Sequence, residues 1–224
     1  MIEKETKYRA PNVTNIQELI AKIQAEFGGE ISEENQLDEY FDTPELRFTN
    51  LRRGIRLRNK KKLEFKSLFY DGNRYLVEEI EITDDKELEK LLTKRLGLKE
   101  TVNNENISIF KRFGLSPQQV INKFRTNLKL EKLVLSIDKV KGLPVYIEIE
   151  GDDDELLNSL EIFIRTQTLL ESAGTRGYVN LLYENDPRMI SKEDFTKRFS
   201  EQPDWNVLDT EKKLVENLFY NIAL

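Results

Sequence analysis

The sequence predicts an α+β protein: an antiparallel β-sheet curled into a barrel, with helices packed on its outside and a helical appendage at the C-terminus. Three observations lead there. Several stretches alternate apolar and charged residues with the period of a strand. The segments between them repeat apolar residues at the three-and-four spacing of amphipathic helices. The polar faces of the strands carry charges of both signs instead of the Thr, Ser and Gln of an ordinary half-exposed sheet. If the apolar faces carry the helices, the charged faces turn toward each other or toward water, and a barrel would line its interior with them.

The chain opens on "EKETKYR" (3–9), which as a strand sends Glu3, Glu5 and Lys7 to one face and Lys4, Thr6 and Tyr8 to the other. In "TNIQELIAKIQAEFGG" (14–29), Ile16, Leu19, Ile20, Ile23 and Phe27 mark a helix. Thr14 with Gln17 resembles a capping box, and Gly28–Gly29 stops it. "QLDEYFDTPEL" (36–46) reads as a short strand running into a proline turn. "GIRLRN" (54–59) and "KLEFKSL" (62–68) alternate: Arg56 and Arg58 oppose Ile55 and Leu57, and Glu64 and Lys66 oppose Leu63 and Phe65. Asp71–Gly72 is a hairpin turn signal. It leads into "RYLVEEIEI" (74–82), where Glu79 and Glu81 oppose Ile80 and Ile82.

"DDKELEKLLTKRLG" (84–97) is a second amphipathic helix and "NISIFKRFG" (106–114) a short third. "QVINKFRTNLKL" (119–130), "KLVLSIDKV" (132–140) and "PVYIEIEG" (144–151) return to strands, the first with Lys123 and Arg125 on one face and the last with Glu148 and Glu150. "DDDELLNSLEIFIRTQTLLESAG" (152–174) is a long helix begun by acids that suit its dipole. "RGYVNLL" (176–182) is a further helical stretch. From about Asn185 the chain changes character. Ser191 carries a cap signature, and Leu214, Leu218, Phe219 and Ile222 share one side of a helix. The expected organisation is therefore a main domain over 1–184 and a helical extension over 185–224 packed on it.

Composition narrows the chemistry. Of 224 residues, 34% are charged, well above the usual quarter or so, and the net charge is −6. That balance argues against nucleic-acid and anionic-membrane partners, while leaving room for a local basic cluster that binds a small anion. There is no cysteine and no histidine. Thiolate sites, thiol nucleophiles and the usual triad are excluded, and any metal must be held by oxygen, which favours Mg²⁺, Mn²⁺ or Ca²⁺. No apolar run approaches the length of a membrane span, and a charged opening is unlike a secretory signal. A cytoplasmic location is expected. No phosphate-binding P-loop, GxGxxG or HExxH motif occurs.

Any single alternating pair suits a solvated strand. Repetition on six strands is what points to a charged interior. The outer helical faces, such as "KELEKLLTKR", read as plain solvated surface. Trp205 reads as filling a packing seam, and Tyr40 and Tyr178 as amphipathic core residues. A wet charged lumen could hold divalent cations on its acids and grip phosphate oxygens with Lys and Arg, the latter in a bidentate fork.

"EKETKYR" resembles the ExExK signature of the CYTH family, the triphosphate tunnel metalloenzymes, which includes class IV adenylyl cyclases, thiamine triphosphatases and inorganic triphosphatases. Further pieces follow in the family's order over roughly 1–184: "DEYFDTPEL", "GIRLRN", "EFK", "VEEIEI", "NKFR", "LSIDKVKGLPVYIEIE" and "GYVNLL". The resemblance implies an eight-stranded antiparallel barrel open as a tunnel. It implies a triphosphate gripped by Lys7, Arg56, Arg58, Lys66, Lys123 and Arg125. It implies Mg²⁺ or Mn²⁺ on Glu3, Glu5, Glu148 and Glu150, with Glu5, Lys7 and Lys66 as catalytic residues and Glu79, Glu81, Asp138 and Tyr40 as additional candidates. The reaction it implies is hydrolysis of a small-molecule triphosphate or cyclisation of ATP to cyclic AMP, and a non-catalytic triphosphate or polyphosphate binder is a further alternative. The cyclase branch carries a His-Phe pair before ExExK that this chain lacks, whereas "RLGL", "VINKFR" and "SIDKVKGLP" look closest to that branch. "ETVNNENISIF" is an insertion, and Leu143–Pro144 replaces the usual Leu-Gly. A homodimer is compatible with this reading.

Overall fold

A computed structural model of the chain describes residues 2–3, 5–70, 75–104, 106–173 and 177–189, with the backbone alone at 2, 3, 68–70, 75 and 76. The expected Asp71–Gly72 turn, Trp205 and the extension from 190 onward lie outside the described residues. Ten strands form: β1 (Ile2–Glu3), β2 (Glu5–Arg9), β3 (Glu30–Asp42), β4 (Arg53–Arg58), β5 (Lys62–Tyr70), β6 (Tyr75–Ile82), β7 (Ser116–Lys129), β8 (Leu133–Val140), β9 (Val145–Gly151) and β10 (Glu171–Ser172). They join in one antiparallel sheet of order β1-β6-β5-β4-β3-β7-β8-β9-β2-β10. The α+β expectation holds. The pairing does not confirm the eight-stranded barrel: among the described residues the ladder has ten strands and two open ends. Ile2–Glu3 pairs with β6 and Glu5–Arg9 with β9, toward opposite ends of the strand order, and the two-residue β10 adds to β2.

Among the described residues six α-helical segments flank the sheet: α1 (Ile16–Phe27), α2 (Arg47–Asn50), α3 (Asp85–Lys90), α4 (Ile109–Arg112), α5 (Asp154–Gln167) and α6 (Tyr178–Leu182). Their apolar stripes cover the outward sheet faces in three clusters. Ile16, Leu19, Ile20 and Ile23 of α1 and Leu160 and Ile164 of α5 pack on Leu128, Leu135, Ile137, Ile147 and Ile149. Leu88, Leu91, Leu92 and Ile109 cover Ile55, Phe65 and Ile82. Val179 and Leu181 of α6 pack with Ile121, Val140 and Tyr146. With the apolar side of each strand thus taken, the alternate side chains have only the concave face left.

Local differences from the sequence reading have identifiable causes. Helix α1 is capped by Asn15, whose Oδ1 accepts from the Glu18 amide at 3.1 Å, one residue beyond the expected Thr14. Strand β3 runs thirteen residues, starting at Glu30 and not near Gln36, because its polar first half is paired residue by residue with β7. Helix α3 widens into a π-helical turn, Leu91–Arg95, closed by the Leu96 amide on the Leu91 carbonyl at 3.0 Å. Helix α5 ends at Gln167, not near Gly174: Thr168 is extended, and the chain turns back to form β10. No helix among the described residues is long and apolar enough to cross a membrane.

Candidate anion and metal site

The concave face encloses a cavity of about 330 Å³ whose lining carries eight cationic side chains against four acidic ones. Register explains the clustering. In β2 and β9, Glu5 lies opposite Glu150 and Lys7 opposite Glu148. In β7 and β8, Arg125 lies opposite Asp138. In β5, Glu64 and Lys66 lie opposite Arg56 of β4 and Glu79 of β6, respectively. Directly opposed side chains share a face, so each pairing delivers charge to the same interior.

Two ion-pair networks result. The first centres on Asp138, which is fully buried. Arg125 forks onto it, Nε to Oδ1 at 2.7 Å and Nη2 to Oδ2 at 2.5 Å, and also reaches Glu148. Lys123 Nζ and the Tyr178 hydroxyl donate to the same Oδ2 at 3.1 and 2.8 Å. Lys7 Nζ bridges Glu148 Oε1 at 3.0 Å and Glu5 Oε1 at 3.3 Å. The second network centres on Glu64 and Asp38. Arg56 Nε meets Glu64 at 2.7 Å, Lys62 meets its other oxygen at 2.6 Å, and Arg58 forks onto Asp38 at 2.8 and 3.0 Å. Lys66 pairs with Glu79 at 2.6 Å.

The charge states follow. Burial opposes ionisation of Glu148, but Lys7, Arg125 and Lys123 outweigh it and hold the carboxyl well below its ordinary range. Glu64 is likewise held low against burial by the bond with Glu79 and by Arg56 and Lys62. Burial works against the Lys7 ammonium, yet Glu148 and Glu5 raise its pKa above the usual lysine value. Lys123 goes the other way. Burial first, then Arg125, push it down to about 8, despite the contact with Asp138. Glu148, Glu64 and Lys7 are thus held in their charged forms, while Lys123 lies near its titration point.

Of the expected residues, Glu5, Lys7, Arg56, Arg58, Lys66, Lys123, Arg125, Glu148, Glu150, Glu79 and Tyr40 all line this one cavity. Asp138 lies behind the wall, holding Arg125, Lys123 and Tyr178. Glu81 is displaced from the site: its side chain is 59% exposed and pairs with Lys62 at 3.5 Å. Glu3 is placed by backbone pairing with Val77, and its side chain lies outside the described ones. The structure adds Arg52, Arg53, Thr49 and Asn180 to the lining. Tyr178 keeps the core role expected of it, packed with Ile121, Val140 and Tyr146, and also lines the cavity. Asp38 was legible only as part of a polar stretch, although its two-residue offset from Tyr40 places both on one face.

Among the described residues no cluster of three or more acids is gathered as a metal cage. The donors nonetheless fit a hard cation. Glu5 and Glu150 are cross-strand partners, Glu148 lies one pleat away, and every available ligand atom is oxygen.

The sheet wraps around a cation-rich cavity that also carries four carboxylates. The chain belongs to the CYTH domain family, whose profile matches residues 1–178. Among solved structures it is similar to a protein from Hippeastrum, an adenylyl cyclase candidate with a dominant triphosphatase activity, at 19% identity and a TM-score of 0.56, over 85% of this chain and 100% of that one. It is also similar to an adenylate cyclase candidate from Vibrio parahaemolyticus, at 18% identity and a TM-score of 0.50, over 81% of this chain and 98% of that one. At these identities the likeness concerns the fold. No curated protein sequence matches the chain.

Proposed function

We propose that the protein binds a small-molecule triphosphate in the cavity and, with Mg²⁺ or Mn²⁺, cleaves one P–O bond by hydrolysis. The observation that carries this reading is the excess of cations, eight against four acids, around a space of triphosphate size. CYTH enzymes are triphosphatases or cyclases and are in general divalent-metal dependent. The course of the chain supports a tunnel. Glu3 pairs to β6 and Glu5 to β9. Two consecutive Cα steps span at most ~7.6 Å, so the ends of β6 and β9 that pair with Glu3 and Glu5 lie near each other, as a tunnel requires.

In this reading Lys7, Arg56, Arg58, Lys66, Lys123 and Arg125 supply the positive charge that takes the phosphate oxygens. Glu5, Glu150 and Glu148, with Glu3, would hold the cation, which when bound neutralises phosphate charge and polarises phosphorus. A carboxylate of this group orients a water. Its oxygen bonds to phosphorus, its proton passes to the carboxylate or solvent, and the bridging oxygen leaves with the electron pair. Lys7 and Lys66 stabilise the charge that builds on the leaving phosphate.

The test is incubation of the full chain with tripolyphosphate, thiamine triphosphate or ATP and Mg²⁺ or Mn²⁺, with products identified. Orthophosphate release is expected. Cyclic AMP with pyrophosphate would replace hydrolysis by cyclisation, in which the ribose 3′-oxygen is the nucleophile. Tight binding without any product would leave a sensing module.

A further inference from the structure

Tyr178 opens α6, in a segment remote in sequence from the strands, yet its side chain is only 8% exposed and stands in the cavity wall. Lys7 Nζ lies 4.6 Å from its ring centroid and Lys123 Nζ 5.1 Å, both within the ~6 Å reach of a cation–π contact. The ring is itself fixed edge-on against Tyr146, with centroids 5.4 Å apart and planes at 79°. Its hydroxyl donates to Asp138 Oδ2, the same oxygen that accepts from Lys123. Burial, and then the Glu148 and Asp138 charges, hold that hydroxyl protonated and so fit to donate.

The two kinds of cation in the site need different devices. Arg125 and Arg58 are planar forks locked by carboxylates. Lysine is a point charge on a flexible stem, and carboxylate contacts, among the described residues two for Lys7 and one for Lys123, do not fix its direction as they fix a planar fork. We propose that Tyr178 is a positioning residue whose ring seats the ammonium groups of Lys7 and Lys123 for phosphate binding while its hydroxyl fixes Asp138. The inference rests on the triphosphate reading for its functional part; the seating itself does not. Lys66, paired with Glu79, has no such ring among the described residues and serves as an internal control.

The test uses the full chain with lysines ¹³C-labelled at Cε, wild type and the variants Tyr178→Phe and Tyr178→Leu, without ligand. Two lysine Cε–H signals are expected upfield of the rest through the ring current. Tyr178→Leu should return both to ordinary positions, and Tyr178→Phe should keep them. With tripolyphosphate and Mg²⁺, Tyr178→Leu should raise KM about tenfold while kcat stays within about threefold, and Tyr178→Phe should restore most of the loss. A Phe variant as impaired as the Leu variant, or a Leu variant with unchanged KM and signals, overturns the proposal. If the Leu variant does not fold, Tyr178→Met, with a longer and more adaptable side chain, replaces it with the same two expectations. A wild type that neither binds nor cleaves tripolyphosphate refutes the functional reading alone, since the unliganded spectra still decide the seating.

Discussion

Asp138→Asn removes one charge and almost no volume from the centre of the site. In the native protein that carboxylate is fully buried and accepts from Arg125 twice, from Lys123 and from Tyr178. The amide keeps one accepting oxygen and turns a donor toward the cations. Stranding a buried charge costs about 3–5 kcal/mol. Arg125 retains Glu148, which argues for the lower end, ~3 kcal/mol. For a body of this size each kcal/mol is worth ~2–4 °C, so Tm should fall by ~6–12 °C. Scanning calorimetry at pH 7 reads this directly. Tripolyphosphate brings negative charge to Lys123 and Arg125, so it should raise Tm by more in the variant than in the wild type. A variant melting within about 2 °C of wild type would show that Asp138 does not neutralise these cations, and the network argument would fail.

Glu5→Gln should abolish phosphate release while leaving the circular dichroism spectrum and melting unchanged, and full activity in that variant would remove Glu5 from the metal site. Glu148 and Glu64 have folded pKa values below their ordinary 4.5, so their stabilising contribution is complete above that pH and is lost as pH falls through the folded values. Tm should therefore be level from neutrality to about pH 5 and decline below it, with a shallower decline in Glu148→Gln. Because Lys123 sits at about 8, an incoming polyanion should draw up to about half a proton at that pH. Calorimetry in buffers of different ionisation enthalpy measures the uptake, and Lys123→Arg should eliminate it. Gly151 has φ 144°, and an added Cβ would lie 2.3 Å from the Lys132 carbonyl. Gly151→Ala should lower Tm well beyond Gly97→Ala, where nothing lies within 4 Å of the added atom.

The sequence made the interior legible because side chains alternate across a strand. Once Ile55, Phe65, Ile147 and Ile149 claim the outside, Arg56, Lys66 and Glu148 have one place to go. The same rule located Glu5 and Lys7, since Tyr8 packs with the core. Parity failed at Glu81, near the end of β6, where the wall gives way to solvent: the right face there is no longer inside the cavity. Tyr178 was hidden for a different reason. Its helix has five residues, too few for periodicity to orient a side chain, and its partners come from β2, β7 and β8. The length of β3 was hidden as well, because "EISEEN" has no apolar alternation and is held extended by its neighbour.

Lys7 divides itself between two carboxylates, Glu148 at 3.0 Å and Glu5 at 3.3 Å. A phosphate that recruits Lys7 must therefore dislodge it from those acids, and a divalent ion that recruits those acids must dislodge Lys7. Each newcomer undoes the obstacle facing the other. On the proposed function the chamber would work as an ion exchanger: a salt already present would be swapped for a salt of opposite halves, and admission of the pair would be easier than admission of either alone. Such coupling is reciprocal, so metal should tighten phosphate by the same factor that phosphate tightens metal.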